Sequence, residues 1–178
     1  YDLGAHLAIE KGDQQFLMMK GGAFIALPVW FHRCLCMYAM ARTNKTKKTK
    51  YMAQAKRIHK ELTNSLKNKN ANVLHYVSLL NAERAALTRT KNQEDDARKL
   101  YNDAISISAR GGYVHDAALA QERFAGYLFN SVGDLQEAKY HLEGAMQRYT
   151  DWGAMGVVEY LHNKYQDVLA GSSTNGYS

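Results

Sequence analysis

Apolar residues recur along this chain at intervals of three and four, the spacing that places them on one side of an α-helix. Alanine, leucine, lysine, glutamine and glutamate are frequent, and all of them favour helix. The pattern predicts an all-α protein with two short helices that meet at Gly12-Asp13, followed by seven longer ones. The predicted longer helices span residues 28–43, 50–68, 71–89, 94–110, 114–131, 134–151 and 154–169.

Two features mark the first long helix pair. Pro28 suits the first turn of a helix, where its missing N–H has no helical acceptor. The segment from Thr43 to Thr49 reads as an insertion that replaces a short turn. In the helix after it, Met52, Ala55, Ile58 or His59, Leu62 and Leu66 form a predicted inward face, and the lysines fall largely outside this face.

The chain resembles itself after a shift of 41 residues, for example from Gly112 to Gly153. Asn92 and Gly133 fall where a first helix should end, because Asn and Gly tolerate the left-handed conformation of a C-cap. Asp134 can then N-cap the following helix. Gly112 and Gly153 should end the second helices. The aligned pairs are Ala85 and Gly126, Asn92 and Gly133, Ala97 and Ala138, Tyr101 and Leu142, Ala104 and Ala145, and Gly112 and Gly153.

Residues 119–145 resemble the tetratricopeptide repeat, a helix-pair motif with a usual period of about 34 residues. The residues at its spacings are Ala125, Gly126, Phe129, Gly133, Asp134, Leu135, Ala138, Leu142 and Ala145. The longer period and the missing closing proline depart from the motif. The resemblance implies a right-handed α-α superhelix of about three tetratricopeptide-like helix pairs and a short N-terminal pair, stacked into a continuous core.

Residues 70–83, 112–122 and 149–154 resemble a helical region of large multidomain signalling proteins. In that family a kinase-like domain and an AAA-type ATPase domain precede helical repeats, and histidine-kinase or cyclase modules often follow. The resemblance covers most of residues 10–169. It implies that the chain is a non-catalytic protein–protein interaction scaffold, a regulatory arm of a larger signalling ATPase or kinase. A plain spacer is a further alternative.

The composition fits one cytoplasmic, globular domain at 1–170 with a flexible tail at 171–178. Hydrophobic residues make up 46% of the chain and charged residues 22%, which are ordinary globular values. No apolar run reaches the roughly 18 residues that span a bilayer. Cys34 and Cys36, two apart on a predicted helix, point to different sides and are expected to be reduced thiols.

The motifs that would indicate catalysis are missing from the sequence. It contains no phosphate-binding glycine loop, no Cys-x-x-Cys and no His-Glu-x-x-His, so neither a cofactor nor a metal is expected. His115-Asp116 resembles the dipeptide of a phosphoacceptor helix. However, it opens a predicted repeat helix, where an aspartate is favourable for structural reasons alone. The chain is therefore expected not to be an enzyme.

In tetratricopeptide arrays the first helix of each pair supplies most of the inner surface. The resemblance therefore implies that Arg89, Arg123, Tyr127 and Asn130 face a groove that binds a protein partner or a neighbouring domain of the same parent chain. Arg123 and Tyr127, four residues apart, combine two residue types common at binding hot spots. The alternative is that Tyr127 packs on the next helix while Arg123 pairs with an acid.

The net charge of +6 is concentrated in residues 42–69, which contain ten basic residues and one acid, Glu61. One interpretation is a solvated outer helix face. The other is a basic adaptor that binds nucleic acid or an anionic membrane, with weak polyanion contacts at Lys45, Lys47, Lys48 and Lys50. Aromatic residues are not interleaved with these lysines, which argues against binding of single-stranded nucleic acid.

Overall fold

The computed structural model describes residues 26–87 and 91–170. All regular structure in these ranges is helical, which confirms the all-α class. A short 3-10 turn, Ala71–Val73, and a π-helical turn, Leu128–Val132, accompany the α-helices. In chain order the α-helices are α1 (Ala26–Thr43), α2 (Lys48–Lys67), α3 (Leu74–Ala85), α4 (Lys91–Arg110), α5 (Val114–Tyr127), α6 (Leu135–Asp151), α7 (Met155–Lys164) and α8 (Gln166–Leu169).

The chain divides into two compact units at Leu100 and Tyr101, within α4. We call the part up to Leu100 unit 1 and the part from Tyr101 onward unit 2. The expected single domain at 1–170 stays a prediction. The two N-terminal helices at Gly12-Asp13 and the tail at 171–178 lie outside the described residues.

In unit 1, α1 packs along α2, and α3 packs against both. Phe31 of α1 stacks on Tyr76 of α3 with ring centroids 4.3 Å apart. The buried side of α2 carries Ala55, Ile58 and Leu62, as its apolar spacing predicts. Burying one such face against two neighbouring helices supplies the hydrophobic stabilisation that α2 needs.

In unit 2, α5 packs along α6, and α7 and α8 pack against α6. The contacts rely on small side chains, because Ala118, Ala125 and Ala145 are all almost fully buried. Alanines at such positions let two helix backbones approach closely. Tyr101 from the second half of α4 stacks on Phe124 of α5, with ring centroids 5.0 Å apart.

The turns after α4 and α6 have the same hydrogen bonds. Gly112 and Gly153 both adopt the left-handed conformation, with φ of 76° and 82°, as the sequence predicts. In each turn two N–H groups donate to carbonyls of the last helical turn. The Gly112 N–H bonds to the Ala109 carbonyl and the N–H of the next residue to that of Ser108. In the same way, the Gly153 N–H bonds to the Thr150 carbonyl and the N–H of the next residue to that of Tyr149. This is the Schellman arrangement, which satisfies carbonyls left over at a helix end.

The prediction for Asn92 is wrong. α3 already ends at Ala85, and Asn92 lies in the first turn of α4, which begins at Lys91. Its aligned counterpart Gly133 does cap the preceding segment, with φ of 84°. Asp134 also N-caps α6 as predicted, because its Oδ1 accepts a hydrogen bond from the Glu137 N–H at 3.0 Å.

Three further predicted elements differ from the structure. The first is the expected insertion from Thr43 to Thr49: Asn44 to Lys47 alone join α1 to α2. The second is the predicted helix at 114–131, which widens into the π-helical turn before Gly133, whose N–H bonds to the Leu128 carbonyl at 2.7 Å. The third is the predicted helix at 154–169, which breaks at Tyr165 into α7 and α8.

Candidate functional site

Three of the four predicted groove residues lie on α5 and the π-helical turn, and Arg89 lies outside the described residues. Tyr127 is only 4% exposed, and its ring lies 5.6 Å from that of Tyr101. Arg123 is half-buried and Asn130 is exposed. The Asn130 side-chain amide donates a hydrogen bond to the Gly126 carbonyl at 2.7 Å. The structure therefore buries Tyr127 in the core of unit 2, where its ring lies beside Tyr101 of the preceding helix, α4.

Unit 2 carries several large, exposed apolar side chains on α7 and just before it. Trp152, Met155 and Tyr160 are each between 57% and 58% exposed. The Lys164 amino group lies 5.4 Å from the centre of the Tyr160 ring and 4.9 Å from that of Tyr165, within range of cation–π attraction. We call this set the α7 surface; its members are Trp152, Met155, Val157, Tyr160 and Lys164.

The α7 surface could have been predicted from the sequence, because its large apolar residues fall outside the apolar face that the helical spacing of α7 defines. Leu161, Tyr165 and Val168 are buried against α6, and Val158 packs on the same cluster. This face packs α7 and α8 against the core of unit 2. Met155, Val157 and Tyr160 lie off it, and large apolar residues outside the core face are typical of contact surfaces.

The two residues that resemble a phosphoacceptor dipeptide lie at the start of α5. The His115 ring stacks on the Trp152 indole, with centroids 5.1 Å apart. Its Nε2 is 3.2 Å from Oδ2 of Asp116, whose side chain is buried. Asp116 in the first turn also suits the positive end of the helix dipole. These contacts tie Trp152, at one end of the α7 surface, to the start of α5.

Polar side chains meet inside unit 1. The Tyr38 hydroxyl and His59 Nδ1 are 2.8 Å apart, and the Cys34 thiol donates to the Ala55 carbonyl at 3.4 Å. Burial lowers the pKa of His59 to about 4, and the charge of Arg84 acts in the same direction. Burial also raises the pKa of the Cys34 thiol well above its usual range. A neutral, buried thiol is a poor nucleophile, so this cluster has the character of a packed polar core.

The basic residues singled out in the sequence lie together on the surface of unit 1. Lys45 and Lys47 belong to the connection before α2, while Lys48 and Lys50 lie in its first turn, and all four are exposed. Further along α2, Lys56, Lys60 and Lys67 are also exposed. The Met52 and Leu66 side chains, expected to face inward, are only half-buried.

Within 26–87 and 91–170, no three His, Cys, Asp or Glu side chains form a group that could hold a metal ion. None of the helices described there combines the length and the apolar character needed to cross a bilayer. Comparison of the chain with protein-family models, curated proteins and solved structures finds no match in any of the three.

Proposed function

We propose that this chain is a non-catalytic protein–protein interaction scaffold and that the α7 surface is where a protein partner or a neighbouring domain docks. The observation that carries the proposal is the exposure of Trp152, Met155 and Tyr160 around one short helix. Scattered exposed apolar residues are normal, but aromatic residues and methionine are enriched at protein interfaces. Tryptophan and tyrosine are also frequent hot-spot residues.

The internal repeat supports the same assignment. A shift of 41 residues takes the start of α5 at Val114 to the start of α7 at Met155. The same shift takes Arg123 to Lys164. Both repeats therefore have a basic residue at the position of the first helix that the tetratricopeptide resemblance assigns to the inner surface. In α7 this cation lies over Tyr160. Arg123 and Asn130 would then extend the binding surface, whereas Tyr127 supports it from within.

The wider proposal follows from the resemblance described in the sequence. Helix pairs that stack as a right-handed tetratricopeptide-like superhelix would present such surfaces to other domains. The chain would act as the regulatory arm of a larger, cytoplasmic signalling ATPase or kinase. Its partner would then be a protein surface, with binding energy concentrated in a few aromatic and cationic side chains.

The test compares two tyrosines of unit 2. A partner is first identified by cross-linking in the parent protein, and its affinity is then measured for Tyr160→Ala and for Tyr140→Ala. Tyr140 lies on α6, is 69% exposed and is not part of the α7 surface. We expect Tyr160→Ala to weaken binding by roughly 30-fold, the equivalent of a 2 kcal/mol hot spot. We expect Tyr140→Ala to leave binding unchanged.

Thermal melting separates binding from folding in the same experiment. Tyr160→Ala should melt like the parent, because the side chain is exposed. Tyr127→Ala should instead lower the melting temperature, because its ring is buried. Equal affinity of the Tyr160→Ala and Tyr140→Ala variants would contradict the α7 surface as the binding site.

A further inference from the structure

The exposed side of α2 carries a row of basic side chains, which we call the basic strip. Successive residues of an α-helix advance by about 100°, which places Lys56, Arg57, Lys60 and Lys67 within an arc of about 100°. The buried residues of α2, among them Ala55, Ile58 and Leu62, occupy the opposite side. The strip therefore follows from the helical register and from the burial of the apolar face. It belongs to unit 1 alone and is independent of the α7 surface.

Lysines at both ends lengthen the strip. Lys50 extends the strip toward the start of α2, Lys45 and Lys47 precede the helix, and Lys69 follows its end; all are exposed. From Lys50 to Lys67 the strip is about 25 Å long, at a rise of about 1.5 Å per residue. Glu61 is the one acid between Arg42 and Lys69. The result is a long, narrow array of positive charge.

We propose that this basic strip binds the phosphate backbone of double-helical nucleic acid without reading its sequence. The row of positive charges on α2 is complementary to the line of negative charges along a duplex backbone. Lysine ammonium groups are point charges that neutralise phosphates, and a duplex offers a linear array of about one negative charge per 1.7 Å of its axis. A single row of cations about 25 Å long on one helix matches a line of phosphates better than it matches a broad lipid surface.

The strip lacks the exposed aromatic and apolar side chains that single-stranded nucleic acid or a membrane would require. Tyr51 is the one Phe, Trp or Tyr between residues 42 and 69, all of which are described, and it is buried. Single-stranded nucleic acid is held largely by stacking of bases on exposed aromatic rings. Interfacial membrane helices insert an apolar face, whereas Ala55, Ile58 and Leu62 of α2 are buried in unit 1. The duplex backbone, which needs only cations, is the partner these residues fit.

The test measures binding of the full chain to two 24-base-pair DNA duplexes of unrelated sequence between 50 and 200 mM salt. Five phosphate contacts predict a slope of log K against log salt near −4.5. Affinity should then fall roughly 500-fold over that range and be equal for the two duplexes. Replacing Lys56 and Lys60 by Gln should flatten the slope by nearly 2, so that affinity falls only about 40-fold.

The matched control removes two positive charges elsewhere. Lys99→Gln with Arg110→Gln changes exposed residues of α4 and should leave the slope unchanged. Vesicles containing phosphatidylserine and soluble polyglutamate serve as alternative polyanions, and both should bind more weakly than the duplexes. The proposal is overturned if either of these binds more tightly, if the control flattens the slope as much as Lys56→Gln with Lys60→Gln, or if neither duplex binds at 50 mM salt.

Discussion

The Arg42 guanidinium reaches from the last turn of α1 to Glu83 in α3, with Nη2 and Oε2 2.9 Å apart. The Glu83 side chain has no exposed surface, whereas that of Arg42 is 20% exposed. The two residues are 41 positions apart in the chain, so only packing of α3 against α1 brings them together. Each partner makes burial of the other tolerable, because an isolated buried charge is costly.

Removing one partner of this pair should be costly. We expect Arg42→Ala to lower the free energy of unfolding by on the order of 2–3 kcal/mol, somewhat less than for a fully buried pair, because Arg42 is partly hydrated. The double variant Arg42→Met with Glu83→Leu should recover most of the loss, since both charges are then absent. Chemical denaturation measures all three proteins. A single variant as stable as the parent would show that the ion pair does not compensate the Glu83 charge.

The depressed pKa of His59 predicts a pH dependence of stability. In the unfolded chain the imidazole titrates near its ordinary value of about 6.5, whereas in the fold the pKa is about 4. The unfolded state therefore binds more protons in this window, and stability should fall as the pH drops from about 6.5 to 4. The full effect is about 3 kcal/mol, reached below pH 4.

Denaturation midpoints measured from pH 7 to pH 4 test this dependence. The His59→Gln variant, which has no titrating group at this position, should show a shallower decline with falling pH. The two proteins are compared by how steeply stability changes with pH. Their absolute stabilities are not compared, because His59→Gln also removes the hydrogen bond to Tyr38. Parallel pH curves for the two proteins would assign the acid sensitivity to other groups.

Lys69 follows α2 in the left-handed conformation, with φ of 65°. Its N–H bonds to the Leu66 carbonyl and that of Asn70 to Ser65, the arrangement found at Gly112 and Gly153. Because a side chain disfavours this conformation, Lys69→Gly should raise the free energy of unfolding by about 0.5–1 kcal/mol. Lys60→Gly removes the same charge from an exposed position in the interior of α2 and should instead cost about 1 kcal/mol. Thermal melting of both variants tests the expected opposite signs.

Ala104 and Ala145 occupy aligned positions of the repeat, and both are fully buried. Enlarging either to Leu should cost about 1–3 kcal/mol, because the extra methyl groups would force the packed helices apart. Ala109→Leu serves as the control, since Ala109 is exposed on α4 and a change there should stay within about 0.5 kcal/mol. Denaturant midpoints that are the same for all three variants would show that these alanines are not close-contact positions.

The sequence by itself determined the features that depend on neighbours within one or two turns. The α2 apolar spacing identified Ala55, Ile58 and Leu62 as buried, and the glycines at 112, 133 and 153 marked helix ends. Helix periodicity, capping and glycine backbone freedom act over a few residues, so a local pattern is enough to predict them. The basic character of residues 42–69 is likewise a property of the amino-acid composition alone.

Only the tertiary structure decided which partner each helix face meets. It buried Tyr127 while leaving Tyr160 exposed, although both are tyrosines on predicted first helices. It paired Arg42 with Glu83 and Tyr38 with His59 across sequence separations of 41 and 21 residues. These outcomes depend on packing between distant segments, which can override local preference when the buried contacts are worth more than the strain they impose.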